Sequence, residues 1–454
     1  MPAQILFYST NQRAPLVNLR EALLQGQAPD RGLYMHTEIP CHRREEIAEM
    51  AGMDYPEIAF TVLRPYTAGI IDEDRLLSIC REAYRFEVPL EHVEKRTWIM
   101  RLDRGPTASF KDFAARFMAR IIGLLIMESG RSLTILTATS GDTGSAVASA
   151  FSGVEGIRVV VLFPEAEVTD LQRKQMTTLG GNIRTIAVAG RFDDCQAMVK
   201  SAFADPALRH LSLSSANSIN IGRLLPQIVY YFYAASRVAA AGEAVVFAVP
   251  SGNFGDMMGA VLAARMGLAI RRLIVAVNAN DEFPRFLRTG VYEKIEPSRA
   301  CISNAMNVGH PSNLARLIAI YGGHMDETGF LHRKPDLERM QNDIFSTSVS
   351  DDVTRRTIVD AWQEHRLLLE PHGAVAWRGL QEYSLIEALD DTPAVSLETA
   401  HPAKFPEEIY RCLGFWPEPP ACLQAVERLP ESYDRLPASN DVFREYLLAW
   451  AKQN

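Results

Sequence analysis

The chain is 454 residues long, enough for two or three structural units at roughly 150 residues each. Hydrophobic residues make up 47% and charged residues 22%, which excludes disordered and fibrous classes and supplies material for a sizeable core. Lys and Arg number 47 against 55 Asp and Glu, and the resulting formal charge of −8 argues against broad electrostatic binding of nucleic acid.

Residues 1–97 mix short helical patterns, over 45–50 and 74–84, with breaks at Pro40, Pro56, Pro65 and Pro89. A mostly helical N-terminal unit that packs on or covers the main body is expected there. The opening stretch, MPAQILFYSTNQRAPL, lacks a basic segment followed by an apolar run of secretory length. The longest apolar run near the middle, 121–127, falls far short of the ~20 residues a membrane span needs. Cys41, Cys80, Cys195, Cys301, Cys412 and Cys422 are scattered with no Cys-x-x-Cys pair, so neither a disulfide framework nor a zinc cluster is expected. The expectation is a cytoplasmic enzyme that binds no membrane.

From Ser132 the rhythm becomes strand, loop, helix. SLTILTAT (132–139) reads as a buried strand, SGDTG (140–144) as a loop and SAVASAFSG (145–153) as a helix of small residues. IRVVVLFP (157–164) is a second strand and IRTIAVAG (183–190) a third. Between them TDLQRKQMTTLGG (169–181) has Thr169 as N-cap and a glycine stop. The pattern recurs as strand VVFAVP (245–250), loop SGNFGD (251–256), helix MMGAVLAARMGL (257–268) and strand RRLIVAVNA (271–279). Alternation of this kind predicts parallel sheets with right-handed crossovers, in at least two α/β lobes. After about Leu413, WPEPPACLQ and ESYDRLPASND read as loops and 442–450 as a short terminal helix.

Five segments, the two glycine loops among them, offer chemistry. Both glycine loops follow an apolar strand and open a helix, where bare backbone and free N–H groups favour an anion. Neither has Walker or dinucleotide spacing, and each on its own reads equally as an ordinary strand-to-helix turn. In GPTASFKDF, Lys111 stands between Phe110 and Phe113, suited to a depressed pKa and Schiff-base chemistry or to a surface lysine with a packed stem. In SSANSINIGRLLPQ (214–227), Asn217, Ser218 and Asn220 head a long helix with Arg223 in its first turns. That cluster suits a phosphate or carboxylate, or else is a cap beside a solvated arginine. In SLETAHPAKF (396–405), Thr399 ends a strand and His401 reads as structural. There is no GxSxG elbow and no HExxH metal site.

Taken together, GPTASFKDFAARFMA, TATSGDTGSAVASAF, LQRKQMTTLGGNIRTIAV, SANSINIGRLLPQ, VPSGNFGD, EPHGAVAW and TAHPAKF occur in the order found in threonine synthases of the longer bacterial and fungal type. The resemblance spans about Tyr8 to about Leu413. It implies a pyridoxal 5′-phosphate enzyme of fold type II, tryptophan synthase β-like, with two open twisted α/β lobes. By that resemblance the units are 1–97, a large cofactor-binding domain of 98–130 with 224–454, and a small mobile domain of 131–223. The implied reaction converts O-phosphohomoserine and water to threonine and phosphate, in a monomer or homodimer.

The resemblance also implies roles. Lys111 matches the lysine that carries the cofactor as a Schiff base. Ser251, Gly252, Asn253, Phe254 and Gly255 match the loop whose amides bind the cofactor phosphate, and Thr399 the hydroxyl facing the pyridine nitrogen. Ser140, Gly141, Asp142, Thr143 and Gly144 match the loop for the substrate α-carboxylate. Asn217, Ser218 and Arg223 match the receiver of the substrate phosphate. Arg104 stands where the family usually has histidine. Two rival readings keep the lysine and the loops: a phospholyase that releases a keto acid, and a catalytically silent protein that binds the cofactor.

Overall fold

A computed structural model describes residues 4–389 and 391–451. Residues 1–3, 390 and 452–454 of the units expected from sequence lie outside the described residues. Two sheets organise the chain. The larger has six strands in the order Ile344–Ser348, Ile270–Val277, Val245–Pro250, Ala394–Glu398, Thr97–Arg101, Leu90–Glu94. All its pairings are parallel except the last, where Leu90–Glu94 turns back on Thr97–Arg101. The smaller has five parallel strands in the order Asp434–Pro437, Ile183–Ala189, Ile157–Pro164, Leu133–Ala138, Leu213–Ser215.

The central strands are buried along their whole length, as LTILTA and VVFAVP show, because helices cover both faces of a parallel sheet. The helix Lys111–Ser129 runs from the larger sheet toward the smaller, and its apolar face carries Phe113, Phe117, Ile121 and Leu125 into the main core. A two-stranded antiparallel ribbon, Phe7–Ser9 with Tyr34–His36, and the helices Leu19–Gln25, Tyr55–Thr67 and Glu73–Ala83 cover this core from the N-terminal side. Asn18 with Glu21 and Asp54 with Glu57 form reciprocal capping boxes that start two of these helices.

Several expectations need correction. Residues 421–427 are helical, and Asp434–Pro437 is a strand on the edge of the smaller sheet rather than a loop. An edge strand tolerates Pro437 and needs no apolar alternation, which hides it from pattern reading. The C-terminal tail therefore joins the smaller lobe, not the large domain that the resemblance implies for 224–454. Likewise Leu90–Glu94, placed in the N-terminal unit, belongs to the larger sheet. The long helix expected after Asn220 is broken into Ile221–Leu224, a 3₁₀ turn Leu225–Ile228 and Val229–Val238. Pro226, which has no N–H to donate, sits in the break. Among the described residues no helix is long and apolar enough to cross a membrane.

Candidate active site

Five segments converge on one pocket, and each follows the C-terminal end of a parallel strand, where open α/β sheets place their ligands. From the larger sheet come 250–256 after Val245–Pro250, Thr399 after Ala394–Glu398, and Phe110 and Lys111 after Thr97–Arg101. From the smaller sheet come 138–140, Asp142 and Thr143 after Leu133–Ala138, and Asn217 and Ser218 after Leu213–Ser215.

Lys111 is the first residue of its helix. The approach to it is stitched to the Thr399 segment: Phe110 N–H donates to the Thr399 carbonyl at 2.8 Å and His401 N–H to the Ala108 carbonyl at 3.0 Å. The ammonium lies 4.4 Å from the centre of the Phe110 ring and keeps only 12% of its side chain exposed. Burial pulls its pKa down from 10.5 to about 8, against the raising effect of Asp142. Lys111 therefore lines the pocket rather than the surface, while Phe113 is wholly in the core.

Both glycine loops are more helical than expected. The helix after SGNFG begins at Gly255 and the one after Ser140 begins at Asp142, so first-turn N–H groups face the pocket. Thr139 Oγ1 accepts from Gly141 N–H and Gly144 N–H at 2.9 and 2.8 Å, which closes the first loop on itself. In the second loop a Cβ on Gly252 would stand 2.9 Å from both the Ala305 carbonyl oxygen and the Met306 Cα, so only bare backbone fits. Phe254 adopts φ 64°, a left-handed kink that turns Gly255 into its helix.

Asn313 ties together a loop from each sheet, and Arg316 braces the one that follows Leu213–Ser215. Asn313 Nδ2 donates to the Asn253 carbonyl at 2.9 Å and the Ser218 carbonyl at 3.3 Å. Arg316, wholly buried, donates to the carbonyls of Ser218, Ile219 and Tyr34.

Of the residues expected at the site, Lys111, Ser140, Asp142, Thr143, Asn217, Ser218, Arg223, Ser251, Gly252, Asn253, Phe254, Gly255 and Thr399 all line this pocket. Gly141 and Gly144 do not: the first backs onto Gln172, the second onto Met176, Thr139 and Val161. Asn217 spends its amide N–H on the Ala138 carbonyl at 2.7 Å, leaving a buried Oδ1 with no partner among the described residues. That atom is an acceptor, the wrong polarity for a phosphate oxygen. Arg223 is 3% exposed and donates through Nη1 to the Ala216 carbonyl, while its Nε has no partner among the described residues. Burial lowers its pKa to about 10, and no ion pair with a carboxylate forms among the described residues.

Sequence reading missed Asp256, Gln227, His372 and Lys404. Asp256 Oδ1 accepts from the hydroxyls of Tyr230 and Tyr231 at 2.5 and 2.7 Å, and burial raises its pKa to about 6. His372 lines the pocket, with Nδ1 2.5 Å from Glu370 Oε2, and its Nε2 accepts from Ala305 N–H at 3.1 Å. Glu370 also receives the Thr399 hydroxyl at 3.4 Å, so a carboxylate stands one hydrogen bond behind Thr399. His401 caps Ala403 N–H and does not line the pocket, and Arg104 lies outward, within 4 Å of Glu91 and Asp103.

A buried lysine with a lowered pKa, a glycine-requiring loop running into a helix start, and a hydroxyl at a neighbouring strand end fit pyridoxal phosphate. A family model described as "Pyridoxal-phosphate dependent enzyme" matches residues 81–397. The fold and site therefore define a pyridoxal-phosphate enzyme of fold type II. Models described as "Threonine synthase N terminus" and "Threonine synthase, C-terminal" match residues 6–84 and 374–447. The threonine synthase of Haemophilus influenzae is 38% identical over 443 residues, covering 97% of this chain and 99% of its own. A pyridoxal-phosphate-bound threonine synthase from Brucella melitensis superposes with a TM-score of 0.90 at 36% identity, covering 98% of this chain and 99% of that one. The Escherichia coli threonine synthase structure gives 0.88 at 36% identity, covering 98% and 100%. The chain belongs to the threonine synthase family. It is a pyridoxal-phosphate-dependent lyase with threonine synthase function.

Proposed function

We propose that the substrate is O-phosphohomoserine, converted with water to threonine and phosphate. The observation that carries this reading is the single pocket that holds Lys111, two helix-opening loops and a buried arginine with no carboxylate partner among the described residues. Two phosphates and one carboxylate need three anion-binding places, and these elements supply three. The 251–255 amides would hold the cofactor phosphate, the first-turn amides of Asp142 and Thr143 the substrate α-carboxylate, and Arg223 with Ser218 the substrate phosphate.

When bound, the cofactor supplies the electron sink that makes the protons next to the amino-acid nitrogen acidic. Lys111 Nζ is placed to accept the Cα proton, to carry the Cβ proton away as phosphate departs from Cγ, and to return protons to Cγ and Cα as water adds at Cβ. Its pKa near 8 keeps a useful neutral fraction at neutral pH. Arg223 stabilises the departing phosphate and holds it near the site of water addition at Cβ. Thr399 would hold the ring of the cofactor from the strand end, its hydroxyl donating to Glu370. Phe110 and Phe254 are apolar walls that exclude bulk water from the reacting carbons.

Purified enzyme given O-phosphohomoserine should release phosphate and threonine in equal amounts. Phosphate accompanied by a keto acid in place of threonine would instead identify a phospholyase.

A further inference from the structure

Lys404 is wholly buried, yet the reaction as described gives it no task. It stands in the short turn Pro402–Lys404 that follows the larger sheet's Thr399 segment. Its Nζ lies 2.6 Å from Asp142 Oδ1 and donates to the Thr107 carbonyl at 3.0 Å. Gln172 Nε2 donates to the same Asp142 oxygen at 3.0 Å. The second oxygen, Oδ2, faces Lys111 Nζ at 3.9 Å. One carboxylate oxygen is thus anchored by two donors, one from each lobe, and the other is aimed at the reactive amine.

We propose that Lys404 is a positioning residue that fixes the Asp142 carboxylate against Lys111 and thereby sets how readily that amine gives up its proton. The inference rests on Lys111 being the cofactor-bearing base. It also gives the Asp142 side chain a task different from carboxylate binding: an anion cannot ligate the substrate's α-carboxylate, so that role falls to the backbone amides of the loop. Desolvating a buried ion pair offsets much of its attraction, so the Lys404–Asp142 pair is weak as a purely stabilising contact.

The charges around Lys111 fix the sign of the effect. It is faced by Asp142 at the start of Asp142–Phe151, Arg223 in Ile221–Leu224, Asp256 in Gly255–Arg265, His372 in Pro371–Ser384 and Lys404 itself. On its own helix Asp112 is turned away to accept from Thr107 N–H and hydroxyl. Removing Lys404 takes away a like charge and leaves Asp142 with Lys111 as its nearest cation, and both changes hold the proton on Lys111. Removing the charge of Asp142 does the reverse.

The test uses the full-length protein stripped of cofactor, labelled with acetic anhydride across a pH series, with the Lys111 peptide quantified by mass spectrometry. From a wild-type midpoint near 8, Lys404→Met should move the midpoint up and Asp142→Asn should move it down, each by about one pH unit. In the reconstituted enzymes the rising limb of kcat against pH should move the same way. Melting curves identify any variant that does not fold. Lys404→Gln, which keeps a donor to Asp142 without the charge, stands in for Lys404→Met should that variant fail to fold. Midpoints that stay put or move in the same direction overturn the positioning role. Borohydride reduction of wild-type holoenzyme should place the cofactor on Lys111, and an adduct on another lysine would instead overturn the reading on which the inference rests.

Discussion

At the scale of single residues, two buried cations share the pocket and do opposite work. In the proposed mechanism Lys111 must lose its proton to act, and burial brings its pKa down to about 8. Because the neutral amine is the working form, kcat should climb as pH rises through about 8 and fall away below it, as steady-state rates from pH 6 to 10 would record. The phosphate-holding role proposed for Arg223 requires that it keep its proton. Its guanidinium can offer two parallel donors to a phosphate, geometry that a lysine cannot match. Arg223→Ala should cost about 2–4 kcal/mol in kcat/KM and leave the cofactor absorbance unchanged, with Arg223→Lys recovering only part. Loss of cofactor with normal substrate binding would mean the two phosphate places are exchanged. Since Arg223 also lowers the Lys111 pKa, the alanine variant should shift the pH limb upward.

Among the elements, the strand-to-helix junctions carry the site, and the 251–255 turn tolerates the least change. A methyl group on Gly252 would collide with backbone at Ala305 and Met306, which cannot rotate away as a side chain could. Gly252→Ala should therefore displace the loop amides and weaken cofactor affinity more than substrate affinity, measured by titrating stripped enzyme with pyridoxal phosphate. A raised KM at unchanged cofactor affinity would assign the loop to substrate. These junctions were legible because fully buried strands read as unbroken apolar runs that stop sharply at Ser-Gly. The edge strands LEHVE and DRLP were not, since none of their nine residues is fully buried and four carry charge. Lys404, His372 and Asp256 were invisible as site residues for a different reason. Their partners come from remote segments, and no local spacing announces that a turn after Thr399 will meet a loop of the other sheet.

For the molecule as a whole, the smaller lobe is closed by residues the chain adds last. Phe443 and Leu447 of the helix Asn440–Ala451 are buried against Leu136, Val160, Leu162 and Val188 of the five-stranded sheet, and Trp450 joins the same cluster. The strand Asp434–Pro437 meanwhile covers an edge that Ile183–Ala189 would otherwise expose. The chain thus passes from large lobe to small, back to large, and returns to small, so 131–223 is not a self-sufficient unit. Leu447 is fully buried, and Leu447→Ala should remove about 2–5 kcal/mol, the ordinary cost of a cavity at such a site. The loss should be local: Leu447 packs in the smaller sheet's cluster, and no described residue after Leu413 joins the one built on Val246, Ile274, Leu369 and Trp377. Hydrogen exchange should therefore quicken at the amides of Ile183–Ala189 and Asp434–Pro437 while those of Ala394–Glu398 stay protected. Because the Ser140–Gly144 loop springs from the weakened sheet and the 251–255 loop from the intact one, KM for the substrate should rise before cofactor absorbance is lost. Equal loss of protection in both sheets would show that the tail stabilises the two lobes as one cooperative body.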